Sequence, residues 1–214
     1  MKVGASIRLV TAIALIGICG FAVAQGWRIV QFSLVTMNID SSEERAELVN
    51  TWGTVPSVAS KALQAGLTDE INPSDPMVAY RRRAVLSEIL SIKPLSSINW
   101  LSLSAVQLVT NRPMEQVLES LKLSTLTGPN EGYVMGERAV FSLSLWEDLL
   151  PDLKSHVAID LGPMLSPRTP AEALERGKFQ AVLAKKSERV RNELRTILMA
   201  TGLSPKEIEQ RLGL

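Results

Sequence analysis

The chain holds one histidine and one cysteine among 214 residues. His156 lies in DLKSHVAID, with Asp152 four residues before it and Asp160 four after. On a helix that spacing puts all three on one face. A His–Asp pair of this kind does acid–base work or holds a metal; the same spacing also describes a solvated helix with favourable charge placement. No nucleophile and no second histidine is signalled nearby, so the solvated face is the better reading. No catalytic residue, cofactor or metal ligand is assigned. A single copy cannot build a disulfide framework or a His/Cys zinc site. Most Cys–His and Ser–His–Asp schemes fall too, unless His156 is the base.

Other candidate chemistry is weaker. Gly128-Pro129-Asn130-Glu131-Gly132 resembles a phosphate loop only in its glycines, because it lacks the Gly-Lys-Ser/Thr ending that binds a nucleotide. It reads as a helix–helix turn, with Asn130 or Thr127 as cap. Glu137-Arg138, with Glu131 near, reads as a structural ion pair. Glu43, Glu44, Glu47, Asp69, Glu70 and Asp75 make the early region acidic without a testable catalytic spacing.

Two basic clusters are the candidate partner-binding residues. Arg81, Arg82 and Arg83 are consecutive, so a helix spreads them over about 200° of arc. Lys185, Lys186 and Arg189 belong to a basic C-terminal stretch. Each cluster is either a solvated face or a grip on an anionic polymer, an anionic headgroup or an acidic protein. The formal net charge of +1 provides no bulk field for nucleic acid. Few aromatics are present to stack on bases.

The elements that carry these residues read as helices. Hydrophobic residues form 46% of the chain, an ordinary globular share. Ser41 or Ser42 caps EERAELVNTW, and Gly53 ends it. Pro56 opens PSVASKALQAGL, the residues from Asn72 to Pro76 form a loop, and MVAYRRRAVLSEILSI follows until Pro94. Ile98, Leu101, Ala105, Leu108 and Val109 share one face, as do Met114, Val117, Leu118 and Leu121 across the break at Asn111-Arg112-Pro113. Ala139, Leu143, Trp146 and Leu150 mark a third helix, and Pro151 opens a fourth. After a connector containing Pro163, Pro167 and Pro170, one long amphipathic helix is expected from Ala171 to Ala200. Ser204-Pro205-Lys206-Glu207 is a capping box starting a last short helix. Only Ile29 to Thr36 shows any strand-like alternation, and that stretch is more simply the exit of the membrane segment. The fold class is therefore all-α.

The N-terminus speaks to location. Lys2 and Arg8 precede the uncharged run LVTAIALIGICGFAVA from Leu9 to Ala24. The run falls between a signal-peptide core of ~7–15 residues and a full span of ~20. Either Ala22-Val23-Ala24 is a signal-peptidase site, or the helix continues past Trp27 and Arg28 as an uncleaved anchor; a buried soluble helix is the remaining reading. Cys19, inside the run, is expected to pack as a small hydrophobe. The first two readings leave the N-terminus in the cytoplasm and export the rest. The localisation expected is a bacterial inner membrane with a periplasmic C-terminal domain, or the periplasm itself after cleavage near Ala24.

Pro56, Pro94 and Pro129 recur at spacings near the tetratricopeptide period. Within PLSSINWLSLSAVQLVTNRPMEQVLESLKLSTLTGP, Trp100 and Leu103 fit the early W-x2-L, which would make Trp100 a buried hairpin anchor, and Pro129 fits the closing proline. Ser104 and Gln107 depart from the usual Gly and Tyr, and the small residues of the second helix are missing. The segment from Pro94 to Gly162 thus resembles a tetratricopeptide-type module. The layout, with PLSSINWLSLS and TGPNEGYVMGER, also resembles small bacterial envelope proteins associated with surface-polysaccharide machinery. These resemblances imply protein binding rather than catalysis. The expected organisation is a membrane or signal segment at 1–36, N-terminal helices at 37–93, tetratricopeptide-like hairpins at 94–162, and a Pro-rich connector with C-terminal helices at 163–214. The expected function is a non-enzymatic, membrane-tethered interaction module of the cell envelope, with a protein partner or an anionic polysaccharide. The alternative is a carboxylate-dependent hydrolase of polysaccharide or peptidoglycan, which needs two carboxylates at roughly 5–9.5 Å.

Overall fold

A computed structural model describes residues 3–36, 42–55, 58–65 and 76–214, without the side chains of 3–13, 16, 35–36, 42–43, 46, 65 and 76. Lys2, Ser41, Pro56, Asp69, Glu70 and the loop residues 72–75 lie outside the described residues, as do the side chains of Arg8 and Glu43. Every described element is a helix. The chain divides into two compact units, Met1–Glu70 and Ile71–Leu214.

The first unit holds α1 (Val3–Thr36), α2 (Ser42–Trp52) and α3 (Ala59–Ala65). α1 runs unbroken through Ala22-Val23-Ala24, and Ile29 to Thr36 is helix rather than strand. Its 34 residues span about 51 Å at 1.5 Å per residue. Near its C-terminal end Phe32 is buried with Leu48, Val58 and Ala62. The Phe32 and Trp52 rings meet edge to face at 5.9 Å, the arrangement the ring quadrupoles favour. Further back, Leu15, Ile18, Phe21, Val23, Trp27, Val30 and Leu34 are exposed. Cys19 is exposed as well, not packed. Among the described residues no helix is long and apolar enough to cross a membrane. Of the run Leu9–Ala24, the side chains of 9–13 and 16 fall outside the described set.

The second unit contains α4 (Pro76–Ile92), α5 (Ser97–Val109), α6 (Met114–Thr127), α7 (Gly132–Ser144), α8 (Pro151–Asp160), α9 (Gly162–Leu165), α10 (Pro170–Leu183), α11 (Glu188–Ala200) and α12 (Pro205–Leu212). Its core runs through Val117 and Leu121 of α6, Ala139 and Leu143 of α7, Phe179 of α10, and Leu194 and Leu198 of α11. α5 and α6 approach along buried serines. Ser104 Oγ donates to the Val117 carbonyl at 2.7 Å, and Ser120 Oγ donates to Gln107 Oε1 at 2.9 Å. Ser120 and Ser124 of α6 are both buried, so the second helix does carry small residues.

Three expectations need correction. The helix from Ala171 to Ala200 is two helices, because the chain turns at 184–187 and Ser187 caps α11 by accepting from the Val190 N–H. Leu183 and Val190 are both buried. Their seven-residue separation is two helical turns, so the hydrophobic period conceals the break. α7 ends at Ser144, before Trp146 and Leu150. Trp146 is buried in the following turn and Leu150 is exposed. Trp100 is only half-buried, its indole N–H donating to the Pro94 carbonyl at 2.7 Å; the large buried aromatics of the second unit are Trp146 and Phe179.

Candidate functional site

The residues of the His156 constellation part company. Asp160, the last residue of α8, turns inward and is buried. It accepts both arms of Arg138, Nε at 2.7 Å and Nη2 at 2.6 Å. Arg138 Nη1 also donates to the Ser124 carbonyl at 3.0 Å and the Gly128 carbonyl at 3.3 Å. Both carbonyls lie at the C-terminal end of α6, where a cation is favoured, and each also accepts a backbone N–H. One buried guanidinium therefore fastens α6, α7 and α8. Burial pushes the Asp160 carboxyl up from its ordinary value, and Arg138 pulls it back down.

His156 Nδ1 lies 3.0 Å from the Asp152 backbone carbonyl. The Asp152 carboxylate faces Lys122 at 3.9 Å, exposed. Among the described residues no group of His, Cys, Asp and Glu could hold a metal. The ion pair read at Arg138 is present, but with Asp160 rather than with Glu131 or Glu137. Glu131 accepts from Ser97 Oγ at 2.5 Å, and Glu137 accepts from Tyr133 OH at 2.8 Å. The 128–131 segment is a turn between helices, as its glycines and proline suggest. Neither expected cap forms: Thr127 Oγ1 bonds back to the Leu123 carbonyl, and the N-cap of α7 is Glu131, whose side chain makes no capping bond. A Cβ on Gly128 would collide with Ser97 Oγ, which accounts for glycine there.

The basic clusters also divide. Arg81 is exposed while Arg82 and Arg83 are half-buried. The Arg83 guanidinium sits 5.2 Å from the Tyr80 ring centre, a cation–π separation. Burial lowers the Arg82 pKa. Lys186 Nζ donates to the Ser144 carbonyl at 2.9 Å, at the C-terminus of α7, and Arg189 pairs with Glu147 at 3.4 Å. Those two side chains tie the start of α11 to the turn after α7; Lys185 is exposed. The clusters lie on α4 and at the α10–α11 junction, and no contact joins them among the described interactions.

The arrangement that sequence spacing did not signal lies between α7 and α10. Gly132, Tyr133 and Gly136 of α7, with Met164 of α9, form one side of a cavity of about 140 Å³. Ala171, Glu172 and Glu175 from the first turns of α10 form the other. Glycines four apart bring a bare stripe of α7 against α10. A Cβ on Gly136 would stand 3.2 Å from Cβ and Cγ of Glu175.

Glu175 is only 6% exposed. Its Oε1 accepts from Lys178 Nζ at 2.7 Å, and its Oε2 has no hydrogen-bond partner. Leaving a buried acceptor unsatisfied costs about 1–3 kcal/mol, more if charged. Tyr133 stands at the cavity rim, exposed, and the Glu137 carboxylate it donates to raises its pKa first, with Glu175 adding to the shift. Lys178 is raised too, first by its bond to Glu175. Glu172 is occupied by a capping box: its Oε2 accepts from the Thr169 N–H at 3.1 Å while Thr169 Oγ1 accepts from the Glu172 N–H at 3.2 Å. The field in this corner is negative. The paired Gly132 and Gly136 were the one sequence signal that could have pointed here. Comparison of the chain with protein-family models, with curated proteins and with solved structures finds no match to any of them.

Proposed function

We propose that this protein is a non-enzymatic, membrane-tethered interaction module of the cell envelope, anchored by α1, with the helices of residues 71–214 presenting the binding surface. The single observation that carries the reading is the surface of α1. Leu15, Ile18, Phe21, Val23 and Trp27 are exposed and point in several directions around one helix. A helix apolar on all sides belongs in a core or a bilayer. The uncharged run from Leu9 is continuous with these residues, Trp27 suits a headgroup depth, and Arg28 can snorkel. Lys2 and Arg8 put the N-terminus on the cytoplasmic side.

Protein binding rather than catalysis is supported by the use of the polar groups. Asp160 and Arg138 are spent on each other, and among the described residues His156 has no carboxylate within bonding distance, its Nδ1 lying against the Asp152 backbone carbonyl. The tetratricopeptide likeness enters only through α5 and α6, a helix pair with a short connection; half-buried Trp100 departs from that pattern. Exposed Arg81 offers its planar fork to carboxylates or phosphates of a partner.

Membrane fractionation tests the anchor. Wild-type protein is expected in the membrane fraction, extracted by detergent and not by high salt. Ile18→Lys with Phe21→Lys places two charges at about 2.5–3.5 kcal/mol each in the middle of the span and is expected to release the protein. A wild-type chain recovered entirely in the soluble fraction overturns the reading. Affinity capture in detergent, repeated with Arg81→Gln at rising salt, then examines the surface: a partner held through Arg81 is lost in the variant.

A further inference from the structure

We infer that the cavity between α7 and α10 is a binding site for a primary alkylammonium group, the charged nitrogen meeting Glu175 and the hydrocarbon stem lying along Met164 and Tyr133. The inference goes beyond membrane tethering and does not depend on it.

Four observations carry it. First, no Lys, Arg or His lines the cavity, whereas Glu172 and Glu175 do; the site accepts positive charge and repels negative. Second, Glu175 is more than nine-tenths buried and its Oε2 lacks a hydrogen-bond partner, although its neighbouring oxygen is held by Lys178. Oε2 is itself covered, so the carboxyl must turn about its last torsion to present it. That torsion is broad and two-fold: a half-turn only exchanges the two oxygens, and a partial turn shares the carboxylate between Lys178 and the incoming ammonium. Third, the remaining walls are glycine, alanine, Thr169, the Met164 thioether and the Tyr133 ring; Thr169 Oγ1 is held in the capping box, and the other surfaces suit methylene groups. Fourth, the volume of about 140 Å³ compares with the roughly 150 Å³ cavity that takes up benzene, enough for a four-carbon chain and its nitrogen.

The chemistry is selective. A primary ammonium brings three donors to one carboxylate. A quaternary ammonium brings none and is held instead by several aromatic faces, of which the cavity has one. Carboxylates, phosphates and sulfates are repelled. The ammonium comes either from a free amine or from a lysine of a partner protein, and both share this recognition.

Titration of the full-length chain in detergent micelles, followed by NMR or calorimetry, tests the site. The probes are n-butylammonium, n-butanol, tetramethylammonium and N-acetyl-lysine methylamide. Saturable one-to-one binding of n-butylammonium is expected, at least tenfold tighter than n-butanol or tetramethylammonium. Glu175→Gln is expected to weaken it at least tenfold with an unchanged melting temperature. Should Glu175→Gln fail to fold, Ala171→Leu, which fills the cavity from an exposed helix start, abolishes binding and keeps the test open. N-acetyl-lysine methylamide binding more tightly than n-butylammonium assigns the site to a protein lysine; equal binding assigns it to free amines. The inference is overturned if n-butylammonium does not bind, if n-butanol binds equally well, or if the variants bind as wild type. Because the chain is held in micelles, none of these outcomes depends on whether α1 spans a bilayer.

Discussion

Arg138 ties three helices of the second unit together through one buried guanidinium. Its five hydrogen bonds reach α8, the end of α6 and the turn at Gly128. Removing one member of a buried pair costs about 3–5 kcal/mol, because the other is left charged and dry. Arg138→Leu is expected to lose that much in urea unfolding at pH 7. The sign of its pH dependence follows from Asp160. With Arg138 gone, burial is opposed only by the smaller pull of His156 and holds the folded pKa above the unfolded value of about 3.9. The fold then binds the proton more tightly than the unfolded chain does, so stability is recovered as pH falls through the raised folded pKa. A loss equal at pH 7 and pH 5 would refute this account of Asp160.

Two tryptophans divide the aromatic burden unequally. Trp146 is 1% exposed, donates to Glu193 Oε2 at 2.9 Å, and has Lys154 Nζ 5.4 Å from its ring. Trp146→Ala is expected to cost about 3–5 kcal/mol. Trp100→Ala, at a half-buried site, is expected to shift the melting temperature much less. Glu193 itself is lowered in pKa, first by its bond to Lys154 and then by Trp146. A depressed carboxylate contributes its stability above its unfolded value of about 4.3 and loses it as pH falls through the folded one. Lys154→Met, removing the largest cause, is expected to bring the Glu193 pKa toward its ordinary range in a carboxyl NMR titration.

At the scale of elements, helix starts are written in short local signals. Thr169-Pro170-Ala171-Glu172 and Ser204-Pro205-Lys206-Glu207 follow one pattern, and both form complete capping boxes. Gly213 closes α12 with φ +73°, a conformation that costs glycine little. Thr169→Ala, Ser187→Ala and Ser204→Ala are each expected to cost about 1 kcal/mol, read as a shift in urea midpoint with an unchanged slope. Ser187 is the informative case. It starts α11 where an unbroken hydrophobic period had suggested one continuous helix.

For the whole molecule, the division at Glu70 and Ile71 sets the expectation. The large apolar core from Leu101 to Leu214 lies entirely within the second unit. A fragment of residues 71–214 is expected to be helical and to melt in one cooperative step by circular dichroism. A fragment that stays unfolded would show that the core needs the first unit. By itself the sequence determined the helical class, most helix starts, the apolar N-terminal run and the faces carrying Leu101, Val117, Leu143 and Leu194, because periodicity and caps act within a few residues. Tertiary structure alone decided that Asp160 turns from His156 to Arg138, that Lys186 and Arg189 hold a turn, and that Glu175 is buried beside Gly136. Each of those depends on residues from separate helices meeting, with sequence distances of 22, 42 and 39 positions. No local pattern encodes such a meeting. The burial that makes a carboxylate costly, and therefore informative, exists only once the helices have packed.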